Sequence, residues 1–280
     1  RQWQGRVLWC PRRGWLVWDG RRFADDDGQN VEALAVKTAR SIYLEAGRCK
    51  DGDIAKKIGE WAHRSEAKAR VDAMLGMAKH LLAVKADELD GDPWALNAEN
   101  GILNLRTGEL RAHDPKVRCT KLAPVTFNPG AEAKRWREFL KVTFQDDAAL
   151  LDAIQRQAGM FLSGDVSEQY LFIYHGVGAN GKSTLCDLLM HILGDYAGPA
   201  APGLLTMKRH ETHPTELADL QGRRLIIASE TESGQTLRLQ LVKQLTGDAG
   251  IKARRMRENF YTFQRTHKLV LMTNNRPRIP

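Results

Sequence analysis

The spacing of apolar residues predicts helices and short strands in the first half of the chain. Apolar positions with the period of an α-helix predict one helix near residues 31–42 and a second near 71–82. An earlier run, residues 14–21, predicts a strand that closes on an Asp-Gly turn. Asn-Gly and Thr-Gly pairs separate short apolar runs over 94–128, which predicts a small β segment there.

The second half of the chain predicts strands that alternate with helices. Helical periodicity continues over 136–162, and an apolar and aromatic run at 170–174 then predicts a buried strand. Further apolar runs at 223–230 and 267–274 predict two more strands, with a short helix at 239–245 between them. Because alternating strands and helices are typical of an α/β fold with a parallel sheet, we expect this fold class.

Composition and charge narrow the class of protein. The chain has 280 residues, of which 42% are hydrophobic, and this is enough for a core in each of two domains. Its net charge of +8 favours a polyanionic partner, nucleic acid first and an anionic membrane second. The four cysteines form no C-x-x-C pair, which argues against a zinc site or a disulfide framework. No apolar run approaches the roughly 20 residues that a membrane span needs.

Tryptophan and arginine are concentrated at the start of the chain, where two interpretations are open. Trp3, Trp9, Trp15 and Trp18 lie among five arginines. Such aromatic residues either stack on nucleic-acid bases or belong to the core of the fold, and core packing is the commoner role.

A glycine-rich loop directly follows the strand predicted at 170–174. With the start of the helix predicted after it, the loop comprises Gly176, Val177, Gly178, Ala179, Asn180, Gly181, Lys182, Ser183 and Thr184. Glycines let the backbone N–H groups of such a loop turn toward phosphate oxygens, and the helix N-terminus adds partial positive charge. We therefore expect Lys182 to reach the β- and γ-phosphates of a nucleotide and Ser183 to ligate Mg²⁺. The alternative is a glycine-rich turn without a ligand.

Polar residues end the two strands predicted after this loop. Glu230 ends one strand and Glu232 follows it, and either carboxylate suits the Mg²⁺ shell or the attacking water of a nucleotide hydrolase. Asn274 ends the other strand, where it either senses the γ-phosphate or belongs to an Asn-Asn turn that leads to Pro277. Because ligands of open α/β sheets bind at the carboxyl ends of strands, these residues join the loop as candidate site residues.

A basic hairpin is predicted between the same two strands. Residues 250–268 contain six Lys or Arg and one acid, Glu258, and two strand-like runs meet near 257–259. Cations on a projecting hairpin are suited to contacts with a phosphate backbone, and a solvated basic turn is the alternative.

The order of these motifs resembles that of the superfamily 3 helicases, the AAA+-type motors of small DNA viruses, phages and plasmids. More narrowly, the chain resembles the phage and plasmid primase-helicase family that is related to the poxvirus primase-helicase. The stretches that carry the resemblance are 178–184, 216–222, 228–232, 241–248 and 271–277, together with 100–108 upstream.

The resemblance implies a P-loop AAA+-type core with a parallel central sheet, preceded by a mainly helical N-terminal domain with a small β segment. Residues 1–140 would form a linker or oligomerisation domain, and residues 141–280 would form the ATPase core. Family members carry a primase domain upstream and donate an arginine finger that follows the sensor strand, here beyond Pro280. The chain is therefore expected to be part of a longer protein and, without that finger, to bind a nucleotide but to hydrolyse it slowly.

The resemblance also implies a role for each candidate residue. Lys182 and the loop would bind ATP or another nucleoside triphosphate. Ser183 and Glu230 would hold Mg²⁺ with Glu232 in support, and Asn274 would be the polar sensor. The positions that match the DNA-contacting hairpin of relatives are Arg255 and Arg257, with Lys252 and Arg254 as neighbours. Family members work as rings, usually hexamers, around DNA, and in this case within the cytoplasm of a host cell.

The sequence therefore predicts an ATP-dependent DNA helicase segment of a replicative primase-helicase from a phage, plasmid or mobile element. Its partners would be single-stranded or forked DNA and further copies of the same chain. Two alternatives stay open. One is a different P-loop ATPase, such as a packaging motor or a kinase, and the other is an ATP-gated DNA-binding assembly module without turnover.

Overall fold

The structure, a computed structural model, describes residue 3 and residues 5–207, 214–230 and 236–280. By its internal contacts the chain divides into a first unit, Arg1–Gly91 with Asp114–Thr120, and a second unit, Asp92–His113 with Lys121–Pro280. The domain division at residue 140 stays a prediction. Among the described helices, none combines the length and the apolar character that a membrane crossing requires.

The first unit joins a small antiparallel sheet to three helices. Its strands pair in the order β1-β2-β3, and a buried cluster that includes Cys10, Leu16 and Phe23 forms its core. The elements are β1 (Val7–Cys10), β2 (Gly14–Trp18), β3 (Phe23–Asp25), α1 (Asn30–Arg48), α2 (Gly52–Ser65) and α3 (Lys68–Leu81).

The structure has three helices where the apolar pattern predicts two. The additional helix, α2, begins after Asp51, whose side chain accepts hydrogen bonds from the backbone N–H groups of Asp53 and Ile54. Its only fully buried residue is Ala62, and the large apolar residues Ile54 and Trp61 are exposed. Ala55, Ile58 and Ala62 nevertheless share one face of this helix and are at least partly buried, so a short apolar stripe is present that the predicted helices do not include.

The tryptophans of the first unit contact other side chains of the same unit. The rings of Trp9 and Trp15 lie 5.0 Å apart edge to face, and the Trp18 ring lies 5.3 Å from that of Phe23. Lys79 Nζ lies 4.2 Å from the centre of the Trp9 ring. These contacts agree with the interpretation of the tryptophans as packing residues.

The second unit begins with the predicted β segment and two helices, and continues as a parallel α/β fold. Its antiparallel strands are β4 (Ala95–Ala98), β5 (Gly101–Asn104) and β6 (Leu110–Arg111), followed by α4 (Lys134–Thr143) and α5 (Ala148–Leu162). The remaining elements are β7 (Leu171–His175), α6 (Lys182–Leu193), β8 (Ala197–Pro199), α7 (Pro214–Ala218), β9 (Leu225–Glu230), α8 (Leu239–Gly247), β10 (Gly250–Ala253), β11 (Tyr261–Gln264) and β12 (Lys268–Thr273).

Four of these strands form one parallel sheet in the order β7-β12-β9-β8. Alternate residues of β9 and β12 point to opposite faces, so that Leu225 and Val270 face one core and Ile226 and Leu269 face the other. Helices α5 and α6 cover the first of these faces, and α8 with the β10–β11 hairpin covers the second. The parallel sheet between helices agrees with the expected α/β class.

The strand β7 differs from its prediction as a fully buried strand. It is an edge strand of the described sheet, and Ile173 is 43% exposed. Its apolar sequence predicts a strand correctly, but side-chain polarity does not report which neighbours cover that strand. The short strand β8 also has no counterpart in the sequence prediction.

Candidate functional site

The carboxyl ends of three parallel strands meet at one edge of the sheet. His175 of β7 is in register with Thr273 of β12, and Thr273 is in register with Glu230 of β9. The backbone N–H of Gly176 donates to the Thr273 carbonyl at 3.3 Å. The loop that follows β7 therefore begins beside the last residue of the neighbouring strand.

The glycine-rich loop connects β7 to α6, as predicted. Its tight path places Ala179 at φ 60° and Gly181 at φ 81°, in the left-handed region that favours glycine. A Cβ on Gly181 would lie 3.0 Å from Thr143 Oγ1 and 3.2 Å from Phe139 Cε2, both on α4. A Cβ on Gly176 would meet the amide group of Asn180, which is the end of a flexible side chain that can move aside. Gly181, in contrast, is required both by its backbone conformation and by the space available.

Lys182 folds back onto the loop that precedes it. Its ammonium group donates to the Gly176 carbonyl at 2.6 Å, to Asn180 Oδ1 at 2.9 Å and to the Val177 carbonyl at 3.3 Å. The Asn180 side chain also occupies the space next to Gly176. Asn180 therefore helps to hold the lysine across the loop, a contact that the spacing of the motif does not reveal.

The helix α6 presents its N-terminus to the same edge of the sheet. Its N-cap residue is Gly181, and no side chain caps the first turn. The N–H groups of that turn are therefore available to an anion, and the helix dipole favours negative charge there. Ser183 is the second residue of this helix, and its hydroxyl donates weakly to Met272 Sδ on β12 at 3.9 Å. Burial of Leu185 and Leu189 against the sheet holds the helix in this position.

A cavity of about 290 Å³ opens where the loop, the helix and the strand ends meet. This volume is close to the lower limit of typical small-ligand sites. Its lining residues are Gly178, Ala179, Asn180, Gly181, Lys182, Ser183, Thr184, Ser229, Met272, Thr273 and Asn274. Seven of them are loop and helix residues that the sequence analysis identifies as candidates, and Asn274 is an eighth.

The candidate residues at the strand ends differ in how far the structure describes them. Asn274 is exposed and lines the cavity, while Thr273 is buried and donates from its hydroxyl to the Asn275 carbonyl at 2.6 Å. Glu230 is the last residue of β9, which places its backbone one strand from the loop. Glu232 lies outside the described residues. Ser229, which the sequence analysis does not single out, also lines the cavity.

The basic hairpin is present, and its cations fall into two groups. Four are exposed, and they are the residues predicted to contact DNA, namely Lys252, Arg254, Arg255 and Arg257. Arg265 and Lys268 are buried, although their charges count equally in the sequence. The exposed basic surface of the hairpin therefore contains four of the six basic residues that the sequence places in this segment.

Two buried cations, Arg224 and Lys268, lie at the amino end of the parallel sheet, opposite the end that carries the cavity. Arg224 donates to the Leu162 carbonyl at 2.5 Å and to the Ala95 carbonyl at 2.7 Å, and Lys268 donates to the Ser163 carbonyl at 2.5 Å. Leu162 and Ser163 end α5, where helix carbonyls lack partners and the dipole favours cations. Burial, with the Arg224 charge nearby, lowers the pKa of Lys268 to about 7.

Two family models match the chain, one over its first half and one over its second. The family described as "D5 N terminal like" matches residues 1–145, more than half of the chain. The chain belongs to the D5 N-terminal-like family. A second family, described as "Family of unknown function (DUF5906)", matches residues 174–280.

Curated relatives of this D5 N-terminal-like chain include proteins of two viruses. A protein of Acanthamoeba polyphaga mimivirus that is named as a helicase (L207/L206) is 32% identical over 197 residues, which cover 68% of the chain and 20% of that protein. Proteins of African swine fever virus that are named as primases (C962R) are 28% identical over 197 residues, again covering 20% of their length. The chain therefore spans about one fifth of the length of the curated relatives it matches. These names and the family match confirm the predicted relationship to primase-helicases.

Solved structures of the NrS-1 C-terminal region also resemble part of this D5 N-terminal-like chain. Two of them cover 54% and 56% of the chain and 35% of their own, at 16% identity, with TM-scores of 0.41 and 0.39.

Proposed function

We propose that this chain is the nucleotide-binding segment of a primase-helicase, a superfamily 3, AAA+-type motor that acts on DNA. The observation that carries the proposal is the convergence on one cavity of the glycine-rich loop, Lys182, the N-terminus of α6 and the carboxyl ends of β9 and β12. The exposed basic hairpin and the names of the viral relatives support the nucleic-acid part of the proposal.

The residues around the cavity fit a nucleoside triphosphate. Its phosphates would accept from the N–H groups of the first turn of α6 and replace the carbonyl and amide acceptors that Lys182 now contacts. A Cβ on Gly178 would meet no atom within 4 Å, so there is open space beside the loop for the phosphates. Bound triphosphate with Mg²⁺ supplies an activated phosphoryl group for hydrolysis.

Magnesium is the cation expected with this ligand. Ser183 at the start of α6 would supply a hydroxyl ligand, and Glu230, with Glu232 in support, would hold the water shell of the ion. Asn274, which lines the cavity, would sense the γ-phosphate. A hard cation with oxygen ligands suits this donor set.

The exposed face of the hairpin is the proposed contact with DNA. Lys252, Arg254, Arg255 and Arg257 are exposed, and none of them forms an ion pair with another described residue. Unpaired cations contact a phosphate backbone without first breaking an internal salt bridge. The hairpin packs on the sheet through Ile251 and Phe263. Assembly of further copies into a ring, as a hexamer, completes the proposed motor.

The test is ATP hydrolysis with and without single-stranded DNA, measured for the wild-type chain and for Lys182→Ala. We expect slow turnover that single-stranded DNA stimulates and that Lys182→Ala abolishes. Lys243→Ala, which removes an exposed lysine of α8 outside the cavity, is the matched control. Turnover that ignores DNA and requires a small-molecule acceptor would instead identify a kinase, and equal turnover by Lys182→Ala would remove the loop from the mechanism.

A further inference from the structure

The hairpin β10–β11 has one buried face and one exposed face. Its register pairs Lys252 with Thr262 and Ala253 with Tyr261. Ile251, Ala253 and Phe263 are buried in the core that lies against the sheet. Because side chains alternate along a strand, Lys252 and Thr262 belong to the opposite face, and both are exposed.

An aromatic ring lies on this exposed face. Continuing the register by one residue places Phe260 across from Arg254, on the same face as Lys252. Phe260 is 50% exposed, Arg254 Cζ lies 4.9 Å from its ring centre and Lys252 Nζ lies 5.1 Å from it. The two cations restrict the orientation of a ring that remains half in solvent.

The tip of the hairpin is a defined turn beyond this ring. The Glu258 N–H donates to the Arg255 carbonyl at 3.2 Å, and Arg257 at the third position of the turn has φ 62°. A non-glycine residue in the left-handed region is uncommon, and it persists where the surroundings determine it. The chain therefore reverses direction sharply here and carries Arg255 and Arg257 past the level of Phe260.

Taken together, these residues match the chemistry of a single-stranded nucleic-acid platform. Such sites combine cations that contact the backbone with an aromatic face on which a base stacks, whatever the identity of that base. The bases of a duplex already stack on each other, so an exposed ring of this kind favours unpaired strands.

We infer that Phe260 is a nucleobase-stacking residue and that Lys252 and Arg254 contact the phosphates on either side of the stacked nucleotide. The inference rests on the proposed contact between the hairpin and DNA, and it adds the strand type and the base contact. It predicts tolerance of base identity and a preference for strands that carry bases over strands that lack them.

The competing explanation is that Phe260 only braces the two cations. The two explanations differ in what the ring contributes. If the ring stacks on a base, its removal weakens the binding only of strands that carry bases. If the ring only holds the two cations in place, its removal weakens the phosphate contacts with any strand.

The test compares two oligonucleotides of equal length, oligo-dT and a fully abasic strand, by fluorescence anisotropy at several salt concentrations with the 280-residue chain. For Phe260→Ala we expect affinity for oligo-dT to fall by about 5- to 150-fold, the range for loss of one aromatic stack. Affinity for the abasic strand and the salt dependence should stay unchanged. Phe260→Tyr should retain the wild-type preference, because tyrosine keeps the aromatic face.

Equal weakening on both strands, or no weakening, would overturn the stacking role. A separate variant, Lys252→Gln, distinguishes failure of this inference from failure of the DNA contact itself. If the hairpin contacts DNA, Lys252→Gln reduces the salt slope by about 0.7 on single strands. If the slope does not change in this variant or in Arg255→Gln, the hairpin lies away from DNA and both proposals fail. Circular dichroism and the thermal midpoint of each variant establish that it folds.

Discussion

At the carboxyl end of the parallel sheet Lys182 lies beside an open cavity, whereas at the amino end Arg224 and Lys268 are at most 5% exposed. Lys182 contacts acceptors within its own loop, at sequence distances of two to six residues. The amino-end cations instead reach carbonyl oxygens of α5 and β4, which lie far away in the sequence. One cation of the sheet therefore contacts only its own loop, whereas the other two join segments that are distant in the sequence.

The difference teaches that charge in this chain has two separate uses. The cations at the amino end donate hydrogen bonds to carbonyl oxygens at the C-terminus of α5, which have no partner within the helix. Removal of these cations leaves buried acceptors without a hydrogen bond. Lys182 at the carboxyl end contacts only groups of its own loop, and it and the exposed cations of the hairpin are the residues that the proposed function assigns to phosphate. Substitutions at the two ends should therefore affect different measurements, stability at one and ligand binding at the other.

The largest expected effect on stability is at Arg224. Arg224→Met should lower the free energy of unfolding by roughly 2–5 kcal/mol, because two buried carbonyl oxygens lose their donor. Urea unfolding followed by circular dichroism measures this change. Arg276→Met is the matched control at the other end of β12, where the arginine is exposed, and its effect should stay within about 0.5 kcal/mol. Similar effects of both substitutions would remove the contrast between the two ends.

The second prediction concerns pH and His267, which is fully buried at the amino end. Burial, with the charges of Arg265 and Lys268, lowers the pKa of His267 to about 3 from an ordinary value of 6.5. The unfolded chain therefore binds a proton in the window from about pH 6.5 to pH 3 that the folded chain does not, so stability is lost as pH falls through this window.

The loss attributable to His267 should be roughly 2–3 kcal/mol between pH 6.5 and pH 4. His267→Gln, which cannot titrate, should show a flatter decline than the wild type over that window when both are unfolded in urea at each pH. Parallel curves for the two proteins would mean that the histidine is protonated without penalty in the folded state.

The smallest expected effect on stability concerns two glycines of the loop, Gly181 and Gly178, which should respond differently to substitution by alanine. Gly181→Ala should lower the free energy of unfolding by about 1–2 kcal/mol, because alanine is strained at a positive φ and its Cβ would press on Thr143 and Phe139. Gly178→Ala should change it by less than about 0.5 kcal/mol, since the space beside Gly178 is open. Thermal or urea unfolding of the two variants measures the difference, and a reversed order would contradict the loop geometry.

Local patterns in the sequence were sufficient to predict the strand, loop and helix around Lys182. Glycine spacing and the flanking periodicity act within about twenty residues, so these elements follow from short-range rules. The parallel strands β9 and β12 were predicted for the same reason, since each is a continuous apolar run.

Features that depend on distant parts of the chain were not predictable in this way. Whether Arg265 and Lys268 are exposed depends on carbonyls at Val166 and Ser163, about a hundred residues earlier. The contact of Asn180 with Lys182 and the exposed edge of β7 likewise depend on side-chain placement rather than on pattern. Helix α2 was not predicted although Ala55, Ile58 and Ala62 have helical spacing, because two of these three positions are alanines, which mark an apolar stripe only weakly.

The central claim is that the cavity beside Lys182 binds a nucleoside triphosphate, and direct binding tests it without requiring turnover. Isothermal titration of ATP with Mg²⁺ into the 280-residue chain should give saturable binding, with Lys243→Ala behaving as the wild type. Lys182→Ala should weaken the affinity by about 100-fold, because charge-assisted hydrogen bonds to phosphate are lost. Equal affinity of Lys182→Ala and the wild type, or no binding by the folded wild-type chain, would contradict the account.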